Sequence, residues 1–335
     1  MKLKKKNRNT IIIAEAGVNH NGNMRNAKKL IDIASKAKAD YVKFQTFNVD
    51  DLILKNTKTA EYQKKNLKSN VSQHKMLKKY QLSEIDQISL KNYAKKKKIK
   101  FLSTAFDLKS LHFLKKLNLD FIKIPSGEIT NYPLLKEISY SKKKVLLSTG
   151  MSTINEIKSA LKVLNKNKSE VIILHCTSDY PANLINLNLA FLTKLKKLGY
   201  KVGYSDHSKS ILTPSIAVAL DCKVIEKHFT ISKKLKGPDH KASLEPDELE
   251  KMIKLIRQTE IILGSDNKII TPSEHRTKML VRKSIVASIN IKKGEIFSKK
   301  NITTKRPGNG LSPFLIKKIL GKKSKINYFK DQQIK

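Results

Sequence analysis

The chain has 335 residues, which is enough for one large domain with a substantial hydrophobic core and a small second domain. Apolar residues make up 39% of it, above the level of disordered proteins, and no run of about 18 apolar residues predicts a membrane span. The net charge of +41 comes almost entirely from lysine, and the chain has only six arginines and no tryptophan. This composition argues against a dedicated nucleic-acid-binding protein, because proteins that read DNA bases favour arginine and proteins that bind single-stranded nucleic acid stack the bases on aromatic side chains.

The N-terminus and the cysteines indicate the cellular compartment. A basic N-terminal segment is followed by only a short apolar stretch, Ile11 to Ile13, before Glu15, which is too short for a signal peptide. Cys176 and Cys222 lie within apolar stretches and predict buried, reduced thiols. We therefore expect a cytoplasmic protein without a membrane partner, whose excess of lysine favours small anionic molecules.

Eight short apolar runs predict eight β-strands. They are expected at Thr10–Glu15, Asp40–Thr46, Lys100–Ala105, Asp120–Ile124, Lys144–Ser148, Val171–Thr177, Lys201–Asp206 and Lys223–His228. Helical spacing of apolar residues predicts intervening helices at Ala27–Lys38, Ser83–Lys97, Leu108–Leu117, Ile154–Leu164, Leu189–Leu198 and Thr213–Leu220. Continuously apolar strands covered by helices indicate a parallel sheet, and eight units favour an α/β fold of the closed (β/α)8 TIM-barrel type. No G-x-G-x-x-G turn follows the first strand, which argues against dinucleotide binding.

The remaining segments define the domain organisation. Asn48 to Leu82 form a long insertion after the second strand, where barrel enzymes place substrate-covering loops. A helix around Pro246–Leu263 is expected to close the barrel domain, residues 1–263. Residues 264–281 are polar, and an irregular linker is expected there. Short strands and turns from 282 to 335 predict a second domain that is too small for a robust core alone and packs on a barrel, its own or a partner's.

Every predicted strand ends in polar residues, at the end of the barrel where (β/α)8 enzymes hold their active sites. These residues are Glu15, Lys43 and Gln45, Ser103 and Thr104, Lys123 and Ser126, Ser148, His175 to Ser178, Ser205 to His207, and Glu226 to His228. One such ending has an ordinary structural explanation. Eight together indicate a ligand site, because burying so many polar groups without a partner is costly.

His207 and His228 end neighbouring strands, which lie about 4.8 Å apart in a sheet. Both imidazoles can therefore reach one ion, and this ligand type favours a divalent first-row metal. The alternative is two buried histidines without a metal. Asp206 and Glu226 are expected to orient the two rings.

Lys43 and Lys123 point into the same barrel mouth. With the hydroxyls of Thr104 and Ser126 they suit a phosphate or a carboxylate. His20 and His175 are expected as further pocket residues. The residues thus predict a metal-assisted reaction of an anion and leave the bond that is made open.

The motifs around these residues resemble those of the N-acetylneuraminate (sialic acid) synthase family. They are AEAGVNHNG at 14–22, VKFQTF at 42–47, KIPSGE at 123–128, GYSDH at 203–207, EKHFT at 226–230, GPDH at 237–240 and KRPGNG at 305–310. The resemblance implies a TIM barrel joined to a small C-terminal antifreeze-like (SAF) domain. It also implies condensation of phosphoenolpyruvate with an N-acetylated hexosamine, which releases phosphate and gives a 2-keto sugar acid.

The resemblance also implies roles for single residues. It places a divalent metal, Mn²⁺ or Mg²⁺, on His207 and His228, and it assigns proton handling to Glu15. It places phosphoenolpyruvate near Lys43, Thr104, Lys123, Ser126, Ser178 and Ser205, and the sugar near Gln45, Tyr180 and Asp239. Arg306 matches an arginine that reaches the sugar in the other subunit of a domain-swapped homodimer.

The sugar is the least constrained part of this expectation. We expect an N-acetylneuraminate synthase that uses N-acetylmannosamine. The alternative is an N,N'-diacetyllegionaminate synthase that uses 2,4-diacetamido-2,4,6-trideoxymannose with the same chemistry. The stretch from Ala60 to Gln63 in the long insertion is compatible with both.

Overall fold

The computed structural model describes residues 10–67, 71–165 and 170–335. Residues 1–9 lie outside the described residues. They form the basic N-terminal segment that was considered in the prediction on a signal peptide. The chain divides into two compact units, one ending at Gly264 and the other spanning Ser265–Lys335. Each unit has its own hydrophobic core.

The first unit is a closed barrel of eight parallel strands in chain order, which confirms the predicted (β/α)8 fold. The strands are β1 (Ile11–Gly17), β2 (Tyr41–Thr46), β3 (Lys100–Ala105), β4 (Phe121–Ile124), β5 (Lys144–Ser148), β6 (Val171–Cys176), β7 (Lys201–Asp206) and β8 (Val224–His228). Strand β8 pairs with β1 in parallel and closes the ring. Nearly every strand residue is buried, as expected for strands that face side chains inside the barrel and helices outside it.

Helices follow the strands and cover the barrel. They are α1 (Met24–Lys36), α2 (Val49–Leu52), α3 (Glu61–Leu67), α4 (Gln73–Lys78), α5 (Glu84–Lys96), α6 (Leu108–Lys116), α7 (Tyr132–Ser139), α8 (Ile154–Leu164), α9 (Phe191–Lys196), α10 (Thr213–Ala219) and α11 (Pro246–Leu263). Capping boxes begin α5 at Ser83 and α8 at Thr153. Helix α7 was not among the predicted helices; the Asn131 side chain caps it and Pro133 lies in its first turn.

The long insertion after β2 contains helices α2, α3 and α4. Its residues Val49, Met76 and Tyr80 form a small hydrophobic cluster with Val18, which follows β1, and with Phe47, which follows β2. The insertion was expected as a covering loop, and in the structure it contains three short helices with packed apolar side chains. This segment begins where β2 ends, beside the carboxyl ends of the strands.

The second unit contains α12 (Pro272–Val281), β9 (Ser284–Ala287), β10 (Ile302–Lys305) and α13 (Ile316–Ile319), with β9 and β10 antiparallel. The prediction of an irregular linker was wrong for residues 272–281. Thr271 and Glu274 form a capping box that begins α12, but none of the residues of this helix is buried, so no apolar face indicates it in the sequence. No helix in the described part of the chain is long and apolar enough to cross a membrane.

Candidate active site

The carboxyl ends of the barrel strands surround a cavity of about 450 Å³, which we call the central cavity. The structure brings to this cavity all the barrel residues to which the sequence resemblance gave a role in proton handling, substrate binding or metal binding. They are Glu15, Lys43, Gln45, Thr104, Lys123, Ser126, Ser178, Tyr180, Ser205, His207, His228 and Asp239. Arg306 lies in the second unit, directly after β10, with an exposed side chain.

Two lysines and two glutamates form the floor of the central cavity. Lys43 Nζ lies 2.8 Å from Glu15 Oε2 and 3.5 Å from Glu226 Oε2, and Lys123 Nζ lies 3.3 Å from Glu226 Oε1. Lys43 also donates a hydrogen bond to Thr104 Oγ1 at 2.8 Å. All four charged side chains are at least 95% buried, so this is a charge-balanced cluster away from bulk water.

Burial and neighbouring charges act differently on the two carboxyl groups. Burial raises the pKa of Glu15 to about 7, against the opposing effect of Lys43. Burial acts on Glu226 in the same direction, but Lys123 and Lys43 together outweigh it and hold its pKa at about 2. Glu226 is therefore a fixed negative charge, and Glu15 is a carboxyl group that exchanges a proton near neutral pH.

The two lysines also differ. Burial lowers the pKa of Lys123, whereas at Lys43 the charges of Glu15 and Glu226 outweigh burial and raise the pKa. Lys43 thus stays charged beside two carboxylates. An anion that entered here would meet two ammonium groups in a low-dielectric site, where such contacts are strong.

Serine hydroxyls also line the central cavity. Ser126 Oγ accepts a hydrogen bond from the Gly150 amide at 2.9 Å, and Ser205 Oγ donates to Glu226 Oε1 at 3.0 Å. A Cβ atom placed on Gly150 would lie 2.1 Å from Ser178 Oγ and 2.9 Å from Ser126 Oγ. Residue 150 must therefore be glycine for these two hydroxyls to approach the same backbone position.

Ser148 was named among the polar strand ends but was given no specific role. Its Oγ is buried in the cavity wall, with no hydrogen-bond partner among the described residues. Its place at the end of β5, on the same face as Leu146, is the sequence signal that indicates an inward side chain.

The imidazoles of His207 and His228 face each other with ring centroids 5.5 Å apart. His207 Nδ1 lies 2.9 Å from the Thr177 carbonyl oxygen, which requires a proton on Nδ1 and leaves Nε2 as the electron-pair donor. Tyr180 Oη lies 3.1 Å from that Nε2. His228 Nδ1 is buried without a partner in the described part of the chain.

These two histidines fit a metal ion on their donor chemistry. Burial, together with the charges of His207 and Lys43, lowers the pKa of His228 well below its usual range, so this imidazole is neutral and its unpaired nitrogen is free to bind a cation. The described residues contain no group of three or more His, Cys, Asp and Glu side chains placed to hold a metal. An ion here would take its remaining ligands from water or substrate.

The predicted orienting roles of Asp206 and Glu226 were wrong. Asp206 points away from the cavity and pairs with Lys227 at 2.6 Å, both side chains being fully buried. Glu226 pairs with the two lysines of the floor. The residue that orients the His207 ring is Thr177, through its backbone carbonyl.

The expected pocket roles of His20 and His175 were also wrong. His20 packs against Phe44, and His175 Nε2 is bonded to the Leu187 carbonyl oxygen at 2.7 Å. Neither is among the described residues that line the central cavity. Both are buried histidines with structural partners.

Asp239 lines the central cavity from the loop between β8 and α11. Its carboxyl group is buried, its Oδ1 has no hydrogen-bond partner among the described residues, and burial raises its pKa to about 6 against the effect of His207. The backbone of this loop is held by Asn66 Nδ2, which donates to the Pro238 carbonyl oxygen at 2.6 Å. An unpaired buried carboxyl group in a cavity wall is suited to bind a hydroxyl or an amide N–H of a ligand.

Comparison with known proteins identifies the family. The model of the NeuB family matches residues 30–268, and the SAF domain model matches residues 282–335. The chain belongs to the NeuB family. The predicted combination of a barrel with a C-terminal SAF domain is therefore confirmed.

Several proteins with similar sequences are sugar-acid synthases. The chain is 48% identical to the N,N'-diacetyllegionaminic acid synthase of Campylobacter jejuni over 97% of this chain and 99% of that one. It is 42% identical to the enzyme of the same name from Legionella pneumophila over 94% and 90% of the two chains. A similar solved structure is the crystal structure of N-acetylneuraminic acid (sialic acid) synthetase from Leptospira borgpetersenii in complex with citrate. The two sequences are 36% identical, the structural match covers 80% of this chain and 90% of that one, and the TM-score is 0.71.

Proposed function

We propose that this NeuB-family chain is an N,N'-diacetyllegionaminate synthase. It condenses phosphoenolpyruvate with 2,4-diacetamido-2,4,6-trideoxymannose and water, and it releases phosphate. One observation carries the reaction class: an anion site of two lysines, a carboxyl group with a pKa near 7 and a pair of histidines line one cavity. The sequence motifs favoured N-acetylmannosamine as the substrate, but the 48% identity to a diacetyllegionaminic acid synthase supports the alternative sugar.

Phosphoenolpyruvate carries a phosphate and a carboxylate, which suit the floor of the central cavity. Lys43 and Lys123 offer ammonium groups, and Thr104, Ser126, Ser178 and Ser205 offer hydroxyls. Glu226 pairs with both lysines and holds them in place before the anion enters. Positioned cations of this kind also stabilise the charge that collects on the departing phosphate.

His207 and His228 would hold Mn²⁺ or Mg²⁺, which supplies Lewis-acid polarisation of the open-chain aldehyde of the sugar. Carbon 3 of phosphoenolpyruvate forms the new bond to the aldehyde carbon, which leaves carbon 2 electron-poor, and the aldehyde oxygen takes up a proton to become a hydroxyl. Water adds to carbon 2 and loses one proton. The bond between carbon 2 and the phosphate oxygen then breaks, the hydroxyl on carbon 2 passes its proton to the departing phosphate, and the 2-keto acid remains. With its pKa near 7, Glu15 is suited to accept the proton that this water loses.

Arg306 belongs to the proposal through the SAF unit. Its exposed guanidinium directly follows β10, in the KRPGNG segment. We propose a domain-swapped homodimer in which this arginine binds the sugar in the partner's barrel. Arginine suits the role because its planar fork binds carbonyl and carboxylate oxygens in two places.

The experiment is a substrate panel. Purified protein is incubated with phosphoenolpyruvate, Mn²⁺ and either 2,4-diacetamido-2,4,6-trideoxymannose or N-acetylmannosamine, and phosphate release and product mass are measured. We expect the higher kcat/KM with the diacetamido sugar. Turnover of N-acetylmannosamine alone would support the second candidate, an N-acetylneuraminate synthase, which the similarity to the Leptospira synthetase favours. Release of no phosphate with either sugar would overturn the reaction class.

A further inference from the structure

The turn that follows β1 is bonded to the loop between β8 and α11, which carries Asp239. Asn19 donates from its side-chain Nδ2 to the Phe229 carbonyl oxygen and to Ser243 Oγ, both at 2.8 Å. Ser243 Oγ in turn donates to the carbonyl oxygen of Asp239 at 2.8 Å. Asn19 and Ser243 are buried, so water does not compete for these bonds. Asn19 therefore fixes the backbone of Asp239 through one intervening hydroxyl.

A second link joins Asn21 of the same turn to His240, the residue after Asp239. Asn21 Nδ2 donates to the Lys236 carbonyl oxygen at 2.9 Å, so Asn21 Oδ1 faces the ring of His240, whose Nε2 lies 3.2 Å away. This arrangement requires a proton on Nε2, and Nδ1 accepts a hydrogen bond from the Thr230 hydroxyl at 2.6 Å. Both ring nitrogens of His240 are thus paired, and the ring cannot turn without breaking a bond.

Glycine at position 237 allows this second link to form. A Cβ atom on Gly237 would lie 2.5 Å from His240 Cδ2 and 2.7 Å from Asn21 Oδ1, closer than side chains pack. The NHNG segment at 19–22 and the GPDH segment at 237–240 both belong to the motifs noted in the sequence. In the structure these two segments contact each other, which gives them a shared structural role.

The side chain of Asp239 depends on these links for its position. Its carboxyl group lines the central cavity, and its Oδ1 has no hydrogen-bond partner among the described residues. The backbone around this residue is held by the side chains of Asn66 and Ser243 and by the bonded ring of His240. A functional side chain without a bond of its own takes its place from such supporting contacts.

We propose that Asn19 and Asn21 are positioning residues that hold Asp239 toward the sugar in the central cavity. Neither asparagine is among the described residues that line the cavity, so both act through Asp239 and not on the substrate. The lysines proposed to bind phosphoenolpyruvate lie on β2 and β4, outside this loop. A displaced loop should therefore weaken the use of the sugar and leave the binding of phosphoenolpyruvate unchanged. This proposal rests on the proposed function, because it takes the sugar to be the ligand of Asp239.

The test compares Asn21→Ala with the matched control Asn118→Ala, both in the full-length protein. Both asparagines have a left-handed backbone, with φ of 55° and 52°, and Asn118 also uses its side chain, which accepts from Lys143 Nζ at 2.5 Å. Asn118 precedes β4 and therefore lies at the other end of the barrel. For Asn21→Ala we expect kcat/KM for the diacetamido sugar to fall about tenfold, while KM for phosphoenolpyruvate stays within about threefold of wild type. Asn118→Ala is expected to change neither value more than about threefold.

A double-mutant cycle shows whether Asn21 acts through Asp239. In the Asp239→Ala background, Asn21→Ala is expected to change kcat/KM for the sugar less than about threefold, because no carboxyl group remains to be positioned. A merely structural role of Asn21 would lower kcat/KM by the same factor with or without that carboxyl group. Thermal unfolding of each variant shows whether the fold is kept.

Two variants of His240 give a second, independent measurement. His240→Leu removes both ring nitrogens and is expected to act on the sugar as Asn21→Ala does. In His240→Gln the side-chain amide can still donate to Asn21 Oδ1, so we expect it to recover part of the loss.

The outcomes separate this proposal from the proposed function. If the wild type is active but Asn21→Ala weakens both substrates equally, or if its effect persists without the carboxyl group of Asp239, only the positioning role is overturned. The same holds if His240→Leu leaves the use of the sugar unchanged. If the wild type uses N-acetylmannosamine instead, the proposed sugar fails, and the same comparisons with N-acetylmannosamine still test the loop. If it uses neither sugar, both proposals fail.

Discussion

The buried ion pair between Lys227 and Asp206 allows a sharp prediction, because each of its residues directly precedes a histidine of the candidate metal site. Asp206 precedes His207 on β7, and Lys227 precedes His228 on β8. Both side chains are fully buried, and Lys227 Nζ lies 2.6 Å from Asp206 Oδ2. The lysine also donates to the Ser208 carbonyl oxygen at 2.5 Å. The pair therefore joins the two strand ends that carry the histidines.

Lys227→Met keeps the length of the side chain and removes its charge and its donors. The change leaves Asp206 as a buried carboxylate without its cation, which costs about 3–5 kcal/mol of unfolding free energy in comparable pairs. For a unit of this size, that corresponds to a fall of about 6–20 °C in Tm. Tyr204 Oη and Thr213 Oγ1 still donate to Asp206, so we expect the lower half of this range.

Lys100→Met is the matched control. Lys100 pairs with Asp120 at 2.7 Å, nearly the same distance, but the two side chains are 66% and 48% exposed. Surface pairs of this kind contribute about 0–1 kcal/mol. Scanning calorimetry of both variants is the measurement, and Mn²⁺ affinity measured by calorimetric titration shows whether the histidines have moved. Equal losses of Tm in the two variants, or a loss below about 2 °C for Lys227→Met, would refute the argument that burial makes this pair important.

Three further predictions concern the cavity and the SAF unit. Gly150→Ala should raise the KM for phosphoenolpyruvate about tenfold or more without unfolding the protein, because the added Cβ would lie 2.1 Å from Ser178 Oγ. Gly127→Ala is the control and should leave that KM unchanged, because its Cβ would have no atom within 4 Å. Steady-state kinetics of the two variants test this prediction. His228→Ala should abolish Mn²⁺ binding in electron paramagnetic resonance titrations while the circular dichroism spectrum is kept, and retained binding would contradict the metal assignment. Arg306→Ala should raise the KM for the sugar. At a sugar concentration well below this raised KM, mixing it with His228→Ala should restore about a quarter of the wild-type activity if the dimer is domain-swapped, and should give no gain over Arg306→Ala alone if each chain completes its own site.

Much of the barrel was predictable from the sequence because of its physical requirements. Parallel strands that are covered on both faces must be apolar along their length, so the eight runs are visible without any structure. Polar residues at the ends of such strands stand out for the same reason, and this identified Lys43, Lys123, His207 and His228 as cavity residues. Helix α12 was missed because an exposed helix carries no apolar face.

What the sequence by itself determined is thus the barrel, the end of the barrel that holds the site and the residue types gathered there. Only the tertiary structure decided which groups are partners. Asp206 and Glu226 are close to the histidines in the sequence. In the structure Asp206 pairs with Lys227, away from the central cavity, whereas Glu226 pairs with the two lysines of the cavity floor. Gln63 is one glutamine among several until the fold places its buried amide oxygen in the wall of the central cavity. The alternation of a strand fixes the side on which a residue lies, whereas its partner depends on distances between segments far apart in the chain.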